Sequence, residues 1–123
     1  MLGPSGHEDT FTRDRLPAAA DWPEIRLAGF DYPEWLNAAV ELTDGMVAKG
    51  FGDHVALIGN GRSRTYKELT DWSNRIAHAL VEDYGVKPGN RVLIRSANNP
   101  AMVACWLAAT KAGAVVGNTM PML

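Results

Sequence analysis

The sequence predicts an α/β domain, a β-hairpin and helix followed by a parallel βαβ unit, and three observations predict it. Residues 91–117 give strand, helix and strand signals in turn. Asn60-Gly61 divides two short runs, as the turn of a hairpin does. Thr65 and Glu68 have the spacing of a capping box, so a helix begins directly after the hairpin.

Residues 1–30 read as an irregular N-terminal arm. Residues 1–20 mix Gly, Pro, Ser and charges with no sustained period. Toward Pro33 the prolines at 17, 23 and 33 punctuate the chain, and the segment from Asp21 to Pro33 is irregular. Trp22, Ile25, Leu27, Phe30 and Tyr32 supply apolar anchors there, so this segment is expected to lie across a surface.

The α/β unit occupies residues 31–123. Asn37 is placed to cap a helix running to about Lys49, with Leu36, Val40, Val47 and Ala38–Ala39 near one side and Glu41 and Asp44 opposite; Gly50 ends it. The hairpin follows as His54–Ile58 and Ser63–Thr65 around Gly59-Asn60-Gly61-Arg62. The Gly-Asn-Gly triplet lacks the spacing of a phosphate loop and no helix starts at it, so it reads as a turn.

The helix from Tyr66 sets Leu69, Trp72, Ile76, Leu80 and Tyr84 on one side and Asp71, Asn74, Arg75, His78 and Glu82 mostly on the other, which predicts that it lies on a sheet. Gly85 closes it, and Lys87-Pro88-Gly89-Asn90 turns the chain into the next strand. Arg91–Arg95 holds Val92, Leu93 and Ile94 together, the pattern of a strand buried on both faces. Asn98 and Asn99 offer caps, and Pro100 suits a first helical position. Residues 101–109 carry no charge, so the helix at 100–112 is expected to need cover on more than one side. Gly113 ends it in a left-handed conformation, and Ala114–Gly117 resumes a strand parallel to the first.

At 123 residues with 46% apolar content, the chain can bury one core. Its net charge of −2 is spread without blocks, which argues against nucleic acid and anionic membrane as partners. Cys105 between Ala104 and Trp106 reads as packing, and a reducing cytoplasm fits a single cysteine. His7, Glu8 and Asp9 stand where a signal peptide would be apolar, so none is expected. Lys111, Thr110 and two glycines interrupt 101–117 as a membrane span.

Chemistry is not visible in local patterns. His7, His54 and His78 share no metal-ligand spacing, so no metal is expected. Ser63, Ser73 and Ser96 have neither a nucleophile-elbow setting nor an identifiable base. Arg62, Arg64, Arg91 and Arg95 are the phosphate-binding candidates, with solvated strand ends as the alternative. Asn98 and Asn99 sit where helix N–H groups attract an anion, but capping accounts for them equally. No catalytic, cofactor-binding or metal residue is assigned. Two parallel strands and a hairpin are expected to leave apolar surface uncovered, with helix 100–112 and the sheet edge waiting for a partner.

Four blocks in order, Arg64-Thr65-Tyr66-Lys67-Glu68-Leu69, Gly85 to Val92, Asn98-Asn99-Pro100 and Lys111 to Val115, resemble the N-terminal part of the adenylate-forming acyl-CoA synthetases. Tyr32-Pro33-Glu34 to Asn37 and Asn118-Thr119-Met120-Pro121 resemble the branch acting on benzoate and 2-aminobenzoate. The resemblance covers about residues 31–123 and implies an incomplete first subdomain of a longer enzyme. It also implies the activity of the parent: acid, ATP and CoA give acyl-CoA, AMP and pyrophosphate through an acyl-adenylate, with Mg2+. In that family the phosphate loop, the Tyr-Gly-x-Thr-Glu segment, the ribose-binding Asp and the C-terminal Lys all lie downstream, so no catalytic residue transfers to this chain and the fragment is expected to be inactive. The covering partner is then the remainder of the ligase. The alternative is a free-standing α/β module that homodimerises through the same surface. Asn90 departs from the family, in which Asp is more usual.

Overall fold

A computed structural model describes residues 5–24 and 28–122. The expected anchors Ile25 and Leu27 lie outside the described residues, as does Leu123.

In order the chain forms α1 (Ala38–Leu42), the single turn α2 (Asp44–Met46), the hairpin strands β1 (Val55–Gly59) and β2 (Arg62–Thr65), α3 (Tyr66–His78), β3 (Arg91–Arg95), α4 (Pro100–Lys111) and β4 (Val115–Thr119). β1 and β2 pair antiparallel, with Gly59 opposite Arg62 and a register shift between Val55 and Leu57. β3 and β4 pair parallel, from Arg91 opposite Val115 to Arg95 opposite Thr119. The predicted fold class and the order of its parts are therefore present.

The local signals act as read. Asn60 and Gly61 both have positive φ, 55° and 71°, which a two-residue turn of mirror-image type requires. Thr65 Oγ1 accepts from the Glu68 amide at 3.2 Å, and the Glu68 carboxylate accepts from the Thr65 amide at 2.8 Å. Asn99, not Asn98, caps α4, accepting from the Met102 amide at 3.0 Å. Gly85 and Gly113 turn left-handed, at φ 64° and 74°.

Four expectations are corrected. The helix from Asn37 is not continuous to Lys49: Thr43 breaks it at φ −125° and ψ −81°. Its buried hydroxyl lies 2.6 Å from the Ala39 carbonyl oxygen and 2.8 Å from Asp44 Oδ2, an alternative to helical pairing that bends the chain. The chain then winds in a wider turn to Phe51, with Gly50 at φ 88°. Second, α3 packs mainly on α4, with the hairpin as its lesser neighbour. Leu69 is buried toward α4, Trp72 and Ile76 pack on the same core, and Tyr84 is 79% exposed.

Third, β3 is not buried on both faces. Its exposure alternates and Leu93 is 73% exposed, so one face of the pair β3–β4 is open. Fourth, α4 is already covered: it touches α1, α3, β1, β3 and β4, and along its length only Ala101 is exposed. Uncovered apolar surface includes the strands and the Phe30–Leu42 segment, where Phe30, Tyr32, Trp35, Leu36, Val40 and Leu42 are exposed.

Ala39, Leu69, Ala104 and Leu107 form the centre of the core, with Leu57, Trp72 and Trp106 packed around them. Alanines at 104 and 108 let α3 and α4 approach closely, and the exclusion of Leu107 from water contributes about 2 kcal/mol.

Candidate functional site

The hairpin tip meets the N-terminus of α4. A Cβ on Gly59 would stand 2.7 Å from Pro100 Cγ, so only a residue without a side chain lets β1 close on the helix start. Asn98 and Asn99 line the shallow cleft between the two. Asn99 spends its oxygen on the cap, and its Nδ2 donates to Ser96 Oγ at 3.1 Å. Ser96 in turn donates to the Ala97 carbonyl at 3.0 Å.

The four arginines do not gather around one ligand position. Arg62 is exposed at the turn. Arg64 lies over the Trp72 ring at 4.4 Å. Arg91 Nη1 bonds Asp9 Oδ2 at 2.5 Å, and Arg95 Nη2 donates to the Pro121 carbonyl at 2.7 Å. Ser73 is buried, donating to the Thr70 carbonyl at 3.0 Å, and Ser63 is exposed on β2. Cys105 is half-buried in a groove of about 320 Å³ whose other walls include Ile76, Leu80, Val92, Ile94 and Met102. His7 lines a cleft of about 620 Å³ with Trp35, Asn37, Pro88 and Lys111, while His54 stacks edge-on against Phe51.

The most organised polar group was not foreseen. Lys111, with its side chain 7% exposed, places Nζ 2.5 Å from Asp44 Oδ2 and 2.6 Å from Asn74 Oδ1. Burial pushes the Asp44 carboxyl up, but hydrogen bonds from Lys111 and Thr43 outweigh it and hold the carboxyl below its ordinary value. Asn37 completes the seam: its Oδ1 caps α1 by accepting from Ala39 and Val40, and its Nδ2 donates to the Thr110 carbonyl at 2.9 Å, a carbonyl in the last turn of α4 that also accepts from the Gly113 amide at 3.0 Å. The available signal was a lone lysine at the end of an apolar helix, which needs an anion wherever it is buried. This arrangement joins helices; it offers no nucleophile and no open coordination position.

Among the described residues no group of three or more His, Cys, Asp or Glu could hold a metal ion. Arg64, Arg91 and Arg95 each have a partner within the chain and the Asn99 oxygen is spent on the α4 cap, while Arg62 is exposed at the turn. No helix among the described residues is long and apolar enough to cross a membrane.

Residues 46–123 match the AMP-binding enzyme family. Over 80 residues the chain is 41% identical to the 3-hydroxybenzoate–CoA ligase of an Aromatoleum species, covering 65% of this chain and 15% of that protein. Over 99 residues it is 35% identical to the acetyl-coenzyme A synthetase of Streptomyces avermitilis, covering 76% of this chain and 15% of that one. Among solved structures, the Klebsiella oxytoca NpsA N-terminal subdomain in complex with 3-hydroxybenzoyl-AMSN superposes with a TM-score of 0.60 at 31% identity, over 68% of this chain and 21% of that chain. The chain thus spans about 15% of the length of these two relatives, and its fold is similar to part of the NpsA N-terminal subdomain. From β1 through β4, and on the sequence match from residue 46 onward, the chain belongs to the AMP-binding enzyme family.

Proposed function

We propose that this chain is the N-terminal scaffold portion of an acid–CoA ligase, an enzyme joining a carboxylic acid to CoA through an acyl-adenylate at the expense of ATP. The observation that carries this reading is a family match running through hairpin, α3, β3, α4 and β4 in a chain that spans about 15% of the length of its ligase relatives. ATP, Mg2+ and CoA are bound in the parent by residues outside this stretch. The open face around Leu93 and the free edges of β3 and β4 are where the remainder of the ligase packs. An aromatic acid is the favoured substrate class, supported by the relative acting on 3-hydroxybenzoate and by the NpsA subdomain holding 3-hydroxybenzoyl-AMSN. We read residues 1–30 as an arm preceding this unit, and the half-buried free Cys105 suits a reducing, cytoplasmic setting.

The test is ATP–pyrophosphate exchange by the purified chain with 3-hydroxybenzoate, benzoate and acetate. Background exchange with all three is expected. Acid-dependent exchange above background would overturn the scaffold reading. Light scattering on the same sample reads the alternative: a stable, well-folded homodimer would favour a self-associating module.

A further inference from the structure

The arm is seated on the molecule, and the seat is specific. The amides of Glu8 and Asp9 both donate to the Pro88 carbonyl at 3.0 Å. Asp9 Oδ2 accepts from Asn90 Nδ2 at 2.9 Å and from Arg91 Nη1 at 2.5 Å, while its Oδ1 accepts from the Phe11 amide at 3.0 Å. The Phe11 ring carries two guanidinium groups, Arg15 at 3.6 Å and Arg91 at 4.5 Å from its centroid. A Cβ on Gly89 would run into the Asp9 carbonyl oxygen, so the turn is shaped to let the arm's backbone lie directly on it. These arm residues precede the stretch that matches the family.

Asn90 is the residue on which both sides depend. Its Oδ1 accepts from the Lys87 amide at 3.0 Å, closing the turn, and its Nδ2 supplies the donor to Asp9. An aspartate at 90 keeps the first bond. It replaces the second with carboxylate against carboxylate, since an ionised carboxyl only accepts. We propose that residues 7–15 are a strap closed over the Lys87–Arg91 turn, and that the side-chain amide of Asn90 selects the closed position. The ion pair of Asp9 with Arg91 is partly exposed and contributes little by itself; the amide makes the seat discriminating, because it is the one contact that a second negative charge reverses.

The strap's position is read by the initial rate of tryptic cleavage after Arg15 in the full chain. Asn90→Asp should raise that rate about tenfold, the size of one lost contact plus a like-charge pair. The double variant Asp9→Asn with Asn90→Asp restores a donor facing an acceptor and should return the rate to within about threefold of the parent. If Asn90→Asp does not fold, Asp9→Ala takes its place and should show the same increase. The inference is overturned by an Asn90→Asp rate within about twofold of the parent, by a double variant no slower than the single one, or by a folded Asp9→Ala with an unchanged rate.

Discussion

Lys111 Nζ lies 2.5 Å from Asp44 Oδ2, joining the last turn of α4 to the short turn after Thr43. The two partners are unequally exposed, the lysine side chain at 7% and the aspartate at 43%, so removing one is not equivalent to removing the other. Breaking a fully buried pair costs about 3–5 kcal/mol. With Asn74 still bonded to the lysine and Asp44 partly hydrated, Asp44→Ala should cost about 2 kcal/mol. Lys111→Met leaves an aspartate that water can reach, and should cost less than about 1 kcal/mol. Urea midpoints at constant slope measure both, and the reverse order would contradict this account.

The same pair fixes a pH dependence. The folded-state pKa of Asp44 is lowered from 3.8, so its contribution is present above that unfolded value and is lost as pH falls through the lower folded one. Asp9 acts with the same sign: the Phe11 amide and then Arg91 hold its carboxyl down. Stability should therefore fall below about pH 4, and less steeply in Asp44→Ala than in the parent. Equal slopes from thermal melts across pH 2–6 would show that the pair does not titrate with folding.

Asn37 works at two helix ends at once. Asn37→Asp keeps the cap on α1 but loses the donor to Thr110 and sets a negative charge against the negative end of α4. It should cost about 2 kcal/mol, more than Asn37→Ser, which keeps capping without the charge. A neutral Asn37→Asp in urea melts would mean that the Thr110 bond carries no weight.

Gly113 is constrained twice: φ is 74°, and a Cβ would lie 3.0 Å from Pro88 Cβ and 3.2 Å from Pro88 Cα. Left-handed backbone costs a β-branched residue about 1–2 kcal/mol before any crowding. Gly113→Val should lower the melting temperature by about 10 °C. An unchanged melting temperature would show that the end of α4 relaxes freely.

Much of this fold was legible because its signals are short. Thr65 with Glu68, Asn60 with Gly61, and Asn99 with Pro100 each act within four residues, a range in which side-chain and backbone chemistry decides the outcome. The break at Thr43 is local and was missed because a threonine hydroxyl competes with the helix only in some settings, whereas the other unread relationships involve partners distant in sequence. The bonds from Asp9 to Asn90 and Arg91 span 81 and 82 residues, and the bond of Asn37 to Thr110 spans 73. The apolar run at Val92–Ile94 indicated burial on both faces, but α4 packs on one face of the pair and Leu93 is left facing outward on the other. No site chemistry was legible in local patterns; the lysine that matters for packing showed only as an interruption of an apolar helix.

Residues 46–123 are proposed to act as scaffold that does not set which acid a ligase of this family takes. The direct measurement replaces the matching segment of the Aromatoleum 3-hydroxybenzoate–CoA ligase with these residues and follows ATP–pyrophosphate exchange with 3-hydroxybenzoate. The account predicts a folded chimera that retains exchange, with a KM for the acid within about threefold of the recipient's. A chimera that melts cooperatively yet shows no exchange would contradict it.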